Sequence, residues 1–270
     1  MAQSSTLLFA LFTLVTLSAF LLLLYRWHAI PKYKRRKKDQ KKLMSAGTLA
    51  LLGFVLTLTS VFAPDVLFHD QSLPFNYEEL PEYDGQPWIV VNDDEPYFLD
   101  EEMEPESYVQ YSALDLFGRC GTADAILSTD TLPTEERESI SEVKPTGWQS
   151  VRYDFVDGES LYNRCHLIAF SLCGANAEER NLITGTRSMN INGMLDNEME
   201  VLEYIRETGN HVRYRVTPVF VGDELVARGV LMEAYSIEDE GEGICWCIYA
   251  YNVEPGVEID YRDGSNHAVE

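Results

Sequence analysis

The stretch NRCHLIAFSLCGANAEERNLITGTRSMNINGMLDNE, residues 163–198, decides the fold of this chain. It opens with the motif NRCH (163–166), which follows a predicted strand, VRYDF at residues 151–155, and a tight turn. An amphipathic helix is predicted to start within the last part of this stretch, because apolar residues recur at spacings of 4, 4, 3 and 3 from Ile191 to Ile205. We expect this helix to end near Gly209, since glycine readily takes the left-handed conformation that closes a helix.

Predicted β-strands lie on both sides of this stretch. Downstream, VRYRVTPVFV, ELVARGVLMEAYSI and ICWCIYAYNV are separated by turn sequences, which is typical of three antiparallel strands. Upstream, WIVV at residues 88–91 predicts a first strand, and residues 107–113 and 123–127 predict short ordered pieces. Arg213 and Arg215 alternate with apolar residues, which is typical of a solvated strand face. The predicted fold class is therefore α+β with an antiparallel sheet.

The residue types in the deciding stretch suit phosphodiester hydrolysis. A histidine such as His166 can take a proton from water near neutral pH. An asparagine such as Asn190 offers a neutral carbonyl oxygen, a ligand suited to hydrated Mg²⁺, and Arg164 could stabilise negative charge on phosphoryl oxygens. On residue types alone the alternative stays open, because a lone histidine on a strand is more often structural and a helix asparagine more often faces solvent.

Several motifs together resemble one known family. NRCHLIAFSL, NLITGTRSMNINGM and HVRYRVTPVFVGDELVARGV, with the upstream LFGRCGTADAILSTDTLPTEERESISEVKPTGW, are similar to the DNA/RNA non-specific endonucleases of the ββα-metal superfamily. The resemblance is greatest to the membrane-anchored DNA-entry nucleases of Gram-positive bacteria, and it runs from about residue 87 to Arg262. The family motif is Asp-Arg-Gly-His, so this chain keeps Arg164 and His166 but has Asn163 for the aspartate and Cys165 for the glycine.

That resemblance implies a metal-dependent endonuclease acting on DNA and RNA with little sequence preference. His166 would be the general base, Asn190 the ligand of Mg²⁺, or of Mn²⁺ in its place, and Glu198 an acid that holds metal-bound water. The spacing agrees with the family's placement, because Asn190 lies nine residues after Asn181 and eight before Glu198.

Other polar residues are given lesser roles. The resemblance makes Asn181 an auxiliary polar residue, and Asn163, in place of the family aspartate, is a further auxiliary candidate. Arg119 and Arg187 are candidates for phosphate contacts, with an ordinary surface position as an equal alternative.

The first quarter of the chain has the pattern of a membrane anchor. Residues 1–25 and 43–63 carry no charge, and each is long enough to cross about 30 Å of hydrocarbon as a helix. Residues 26–42 between them carry nine Lys or Arg against one Asp, which predicts a cytoplasmic loop. We therefore expect two transmembrane helices in the cell membrane, followed by an extracellular tether at residues 64–86 and an extracellular nuclease domain at residues 87–270. A cleaved signal peptide is the rival interpretation of the first segment.

Charge and cysteine content keep other interpretations open. Subtracting the loop's net charge of +8 from the chain's −23 leaves a net charge of −31 on the rest of the chain. By itself this negative charge disfavours a polyanionic partner and suits a structural envelope protein. A catalytically silent surface receptor for DNA is the other rival function. The five cysteines are an odd number, which is not a disulfide framework, so buried apolar roles are favoured over a metal site.

Overall fold

The computed structural model describes residues 2–29, 37–62, 73–99 and 102–269. The chain divides into two compact units, Met1–Asp70 and Gln71–Glu270.

The first unit contains two helices, α1 (Ala2–Ala29) and α2 (Lys37–Phe62). They approach closely where Phe20 meets Gly47, since a Cβ added at Gly47 would lie 2.9 Å from the Phe20 ring. None of the helices, as far as the structure describes their residues, is long and apolar enough to cross a membrane. The prediction of two transmembrane helices is therefore not confirmed, and residues 30–36 of the predicted basic loop lie outside the described residues.

A six-stranded sheet forms the body of the second unit. Its strand order is β1-β8-β7-β6-β3-β2, and every neighbouring pair is antiparallel, which confirms the predicted α+β class. The strands of this sheet are β1 (Trp88–Val90), β2 (Tyr108–Tyr111), β3 (Ala123–Leu127), β6 (Val212–Val219), β7 (Gly229–Ser236) and β8 (Cys245–Tyr251). A separate small hairpin pairs β9 (Val257–Ile259) with β10 (Asn266–Ala268).

The central strands of the sheet are buried on both faces. On one face their apolar side chains join the main core, which includes Tyr214, Met232 and Ile248. On the other face Arg213, with 2% of its side chain exposed, pairs with Asp124 at 2.7 Å, and Arg215 pairs with Glu233 at 2.8 Å. The interpretation of Arg213 and Arg215 as a solvated face was therefore wrong, because acidic partners on the adjoining strands let Arg213 be buried and Arg215 be largely buried.

A second hairpin and a helix carry the deciding stretch. Strand β4 (Tyr162–His166) pairs antiparallel with β5 (Leu182–Thr186), and the chain continues through a π-helical turn (Met189–Met194) into α4 (Leu195–Thr208). A short helix, α3 (Phe170–Cys173), lies in the connection between the strands. Helix α4 ends as predicted at Gly209, which has φ of 74° and whose N–H donates to Ile205 O.

The predicted strand at residues 151–155 is not formed. Arg152 makes an isolated bridge to Ser160, and Tyr153 N donates to Glu159 O at 2.9 Å. The chain reverses between these residues, with positive φ at Gly158 and Glu159, so the extended segment is too short for a strand. The first strand of the hairpin is instead the segment that holds the motif itself.

Residues 73–86, predicted as part of the tether, pack on the folded unit. The Phe75 ring lies 6.1 Å from that of Tyr249, and the Tyr83 ring lies 5.6 Å from that of Tyr251. The Tyr251 hydroxyl also donates to Pro81 O at 2.8 Å. The folded unit therefore includes residues before the predicted boundary at residue 87, because aromatic side chains in this segment cover the end of β8.

Candidate active site

A cavity of about 580 Å³ lies between strand β4, the π-helical turn and helix α4. It brings together six of the eight residues that the sequence singled out. They are Asn163, Arg164, His166, Arg187, Asn190 and Glu198. The residues of the motif and those at the start of the helix therefore line the same cavity, because the hairpin and the following helix bring them together.

His166 is the last residue of β4 and has 7% of its surface exposed. Its Nε2 lies 3.2 Å from the carbonyl oxygen of Asn176. A carbonyl only accepts hydrogen bonds, so this contact requires the proton on Nε2 and leaves a lone pair on Nδ1. Burial lowers the pKa of His166 below 6.5; the bond to Asn176 opposes this shift, and the positive charge of Arg137 adds to it. The imidazole is thus held neutral and able to accept a proton at pH 7.

Asn190 belongs to the π-helical turn that precedes α4. Such turns are rare and occur frequently at functional sites. Its Oδ1 lies 3.0 Å from Sγ of Cys165, and burial raises the pKa of that thiol well above its ordinary value. The sulfur therefore carries its hydrogen and donates it to the amide oxygen.

Glu198 lies on α4 and is 8% exposed. Burial raises the pKa of its carboxyl to about 8, and the nearby charge of Arg137 opposes part of that shift. A carboxyl in this state is poised to ionise when a cation lies beside it, since a nearby positive charge favours the charged form.

The arginines of the cavity are held in different ways. Arg164 donates to Val143 O at 2.5 Å and to Ser141 O at 2.7 Å, and its guanidinium lies 4.1 Å from the centre of the Trp148 ring. Arg187 pairs with Asp157 at 2.8 Å at the rim.

Arg137 also lines the cavity, although sequence reasoning missed it. Its guanidinium lies 6.0 Å from the centre of the Phe170 ring, and within the described part of the chain it has no hydrogen-bond or ion-pair partner. Its charge is therefore available to a ligand. Residues 128–150 contain no regular element and no periodicity, so the sequence around Arg137 carries no signal that could have identified it.

The two auxiliary asparagines have different surroundings. Asn163 lines the cavity, and its Nδ2 is buried without a hydrogen-bond partner among the described residues. Asn181 is fully buried outside the cavity. It accepts from Ile168 N and donates to Ile168 O, both at 2.9 Å, and so fixes the chain that follows His166.

Arg119 also lies outside the cavity. It pairs with Asp115 at 2.7 Å and donates to Gly222 O at 2.9 Å and Glu224 O at 3.0 Å. These bonds tie the turn after β2 to the turn after β6. The structure thus gives Arg119 a position that joins two surface turns, apart from the other candidates.

The residues at the cavity fit a hydrated divalent cation. The described residues include no group of three or more His, Cys, Asp or Glu side chains that could hold a metal ion. The cavity does offer two hard oxygen donors, the amide of Asn190 and the carboxyl of Glu198. Mg²⁺ prefers oxygen ligands and keeps several of its waters, and a cavity of about 580 Å³ has room for them.

The cavity is locally positive although the chain is acidic. Arg137, Arg164 and Arg187 line it, Asp157 pairs with Arg187 at the rim, and Glu198 is largely protonated at pH 7 because burial raises its pKa to about 8, so the balance among these described residues is +3 and −1, or +2. The whole chain has a net charge of −23. A local positive charge of this kind favours an anionic group at the cavity.

A family model, DNA/RNA non-specific endonuclease, matches residues 100–238. A "Deoxyribonuclease" of Streptococcus dysgalactiae subsp. equisimilis is 34% identical over 109 residues. That match covers 38% of this chain and 32% of the relative, so the chain spans about a third of the relative's length.

Solved structures of nucleases are similar to this chain in fold. "NucA from Streptococcus agalactiae with no metal bound" has a TM-score of 0.61 at 23% identity, over 72% of this chain and 92% of NucA. "Sda1 nuclease with bound zinc ion" has a TM-score of 0.59 at 28% identity, over 68% of this chain and 97% of Sda1. NucA "with magnesium ion bound" has a TM-score of 0.57 at 22% identity, over 67% of this chain and 86% of NucA.

Proposed function

Because this chain belongs to the DNA/RNA non-specific endonuclease family, we propose that it hydrolyses the phosphodiester bonds of DNA and RNA at the cavity around His166, with a divalent cation. The observation that carries this proposal is the convergence of His166, Asn190 and Glu198 with three arginines in one cavity. A neutral base, oxygen ligands for a hard cation and positive charge for phosphate are the parts that phosphodiester hydrolysis needs.

His166 is the general base of the proposed reaction. Its Nε2 is engaged by the carbonyl of Asn176, so Nδ1 accepts a proton from a water molecule as that water attacks phosphorus. Asn181 holds the two residues after His166 by bonds to Ile168, which keeps the ring in place. The attacking water is in line with the departing 3′ oxygen, and the products carry 5′-phosphates.

Asn190 and Glu198 hold the cation in this proposal. When bound, Mg²⁺ supplies a positive charge that stabilises the leaving oxygen and the phosphoryl oxygens. Asn190 would hold the ion through its amide oxygen, and the ionised carboxylate of Glu198 would accept hydrogen bonds from water in the cavity. Two similar structures, Sda1 with a bound zinc ion and NucA with a bound magnesium ion, support a divalent ion. The oxygen donors of this cavity favour Mg²⁺, with Mn²⁺ as a substitute.

The arginines bind and stabilise the phosphate. Arg137 has no hydrogen-bond or ion-pair partner among the described residues, so it can contact a phosphoryl oxygen without breaking such a bond. Arg164 is fixed by two backbone carbonyls and the Trp148 ring, and it contributes a positioned charge. Arg187 can exchange Asp157 for a phosphate, since that ion pair lies at the rim with the Asp157 side chain 77% exposed.

The substrate range follows from these contacts. Groups that contact the phosphate backbone carry no information about base sequence, so we expect little sequence preference. The base acts on water, so the reaction requires no ribose 2′-hydroxyl and accepts both DNA and RNA.

We also propose that the enzyme acts at the outer cell surface, attached through its N-terminal helices. This part rests on the sequence pattern alone, two uncharged stretches around a loop of nine basic residues. Protease added to intact cells should remove the nuclease unit. Degradation only after lysis would refute the orientation.

Cleavage of a plasmid tests the proposal against the receptor alternative. The purified chain should cut plasmid DNA and RNA with Mg²⁺ and should stop when EDTA is present. His166→Ala should bind the plasmid without cutting it. A wild-type chain that binds DNA but never cuts it with Mg²⁺ or Mn²⁺ would instead establish the silent receptor.

A further inference from the structure

Cys165 stands in the motif where the family has glycine, and its side chain reaches the metal site. The residue lies in β4 beside His166 and is 1% exposed. Its Sγ is 3.0 Å from Oδ1 of Asn190, the proposed metal ligand. A glycine could not make this contact, so the contact is a property of this chain.

The thiol has one hydrogen and three acceptors within reach. They are Oδ1 of Asn190 at 3.0 Å, Sδ of Met194 at 3.4 Å and the carbonyl oxygen of His166 at 3.8 Å. The amide oxygen is the nearest of the three and, as an oxygen, a stronger acceptor than a thioether. The hydrogen therefore goes to Asn190.

This bond determines which end of the Asn190 amide faces the sulfur. A flipped amide would place its NH₂ group against the sulfur, which is only a weak acceptor, and would send the thiol hydrogen to Met194 or to the His166 carbonyl, so the flipped arrangement is less favourable. A carbonyl oxygen has two lone pairs, so Oδ1 can accept the thiol hydrogen and still bind a cation. The buried thiol thus favours the rotamer that a metal ligand needs.

The facing strand leaves space for the cysteine. A Cβ added at Gly185 of β5 would lie 2.7 Å from Cβ of Cys165 and 3.3 Å from its sulfur. Glycine at residue 185 therefore leaves the volume in which the Cys165 side chain lies. The sulfur is enclosed between β5 and Met194, which limits its own rotation.

We propose that Cys165 is a positioning residue that orients the Asn190 amide and thereby raises the affinity of the cavity for a divalent cation. This inference rests on the proposed function, since it takes Asn190 as the ligand. Groups that hold a metal ligand from behind commonly change metal affinity by 10-fold or more.

Direct binding of Mn²⁺ in the absence of nucleic acid tests this role. The full-length chain is titrated with Mn²⁺ alone, and free Mn²⁺ is followed by its electron paramagnetic resonance signal. Cys165→Ala should weaken binding about 10-fold, and Cys165→Ser, which keeps a donor, should restore it to within about threefold of wild type. If the alanine variant does not fold, Cys165→Val removes the donor while filling the space.

Cys120 provides a matched control. It is also a buried thiol, 4% exposed, but its sulfur donates to the backbone oxygens of Glu179 and Leu182. Cys120→Ala should therefore lose a buried thiol without changing Mn²⁺ affinity. An equal loss in this variant would show that any thiol deletion loosens the site, which would overturn the proposal.

Two other outcomes separate this inference from the proposed function. Wild-type affinity in Cys165→Ala or Cys165→Val would overturn the positioning role and leave the nuclease assignment intact. A wild-type chain that binds no Mn²⁺ would overturn both the positioning role and the metal dependence. As a second readout, the Mg²⁺ concentration for half-maximal cleavage should rise about 10-fold in Cys165→Ala, while the rate at saturating Mg²⁺ stays near that of wild type.

Discussion

Replacing Glu198 by glutamine should stabilise the metal-free protein, and the gain should grow with pH. Burial on α4 raises the pKa of this carboxyl from 4.5 to about 8. The folded protein therefore disfavours the charged form, which water solvates well in the unfolded chain. Glutamine has nearly the same shape and no charge to bury.

The sign and size follow from the two pKa values. Below pH 4.5 the carboxyl is neutral in both states, so it contributes nothing that depends on pH. Between pH 4.5 and 8 the unfolded chain has released a proton that the folded protein keeps, and folding becomes less favourable by about 1.4 kcal/mol per pH unit. The penalty is about 3 kcal/mol at pH 7 and levels off near 5 kcal/mol above pH 8.

Urea unfolding at pH 5, 7 and 9 measures this effect. With EDTA present and tryptophan fluorescence as the signal, the free energy of unfolding of Glu198→Gln should exceed that of wild type by an amount that rises about 4 kcal/mol from pH 5 to 9. If the new glutamine amide lacks a hydrogen-bond partner, the free energy of unfolding of Glu198→Gln changes by the same amount at pH 5, 7 and 9. Mg²⁺ should reduce the gap at pH 7, because a nearby cation favours ionised Glu198. A difference that does not vary with pH would refute the assigned pKa.

Four further substitutions test the site. His166→Gly should slow cleavage on the order of 10²–10⁴-fold, and added imidazole should restore part of the rate at pH 8. The wild-type rate should fall only at a pH below 6.5, because burial lowers the pKa of His166 below that value. Asn190→Ala should abolish Mg²⁺-dependent cleavage while circular dichroism remains unchanged; full activity of this variant in EDTA would remove the metal from the mechanism. Arg187→Ala should raise KM for DNA, whereas Arg119→Ala should lower the melting temperature and leave KM unchanged, since only Arg187 lines the cavity.

The periodic parts of the fold could be predicted from the sequence. Residues 123–127, expected to be a short ordered piece, form strand β3, and α4 ends at Gly209 as expected, because apolar spacing and glycine conformation are local properties. Six of the eight candidate residues converge because a hairpin followed by a helix brings the motif and the helix start together.

The remaining parts depend on partners that are distant in sequence. Arg213 is buried because Asp124, 89 residues away, accepts its hydrogen bonds, and no local pattern reveals that pairing. Residues 73–86 are ordered by rings of β8, about 170 residues further along the chain. Arg137 lies in an irregular segment whose path is set by the surfaces it covers.

The buried ion pairs beneath the sheet constrain how this protein can evolve. Loss of Arg215 would leave Glu233, whose side chain is 1% exposed, as an unpaired charge in the interior, at a cost of about 3–5 kcal/mol, whereas Arg213 pairs with both Asp124 and Glu102. A typical domain has only about 5–15 kcal/mol of stability in total, so most single replacements here would be eliminated by selection. Arg215 and Glu233 can therefore change in descendants only as a pair, and we expect homologous chains to show covariation between strands β6 and β7 even where the catalytic residues are constant.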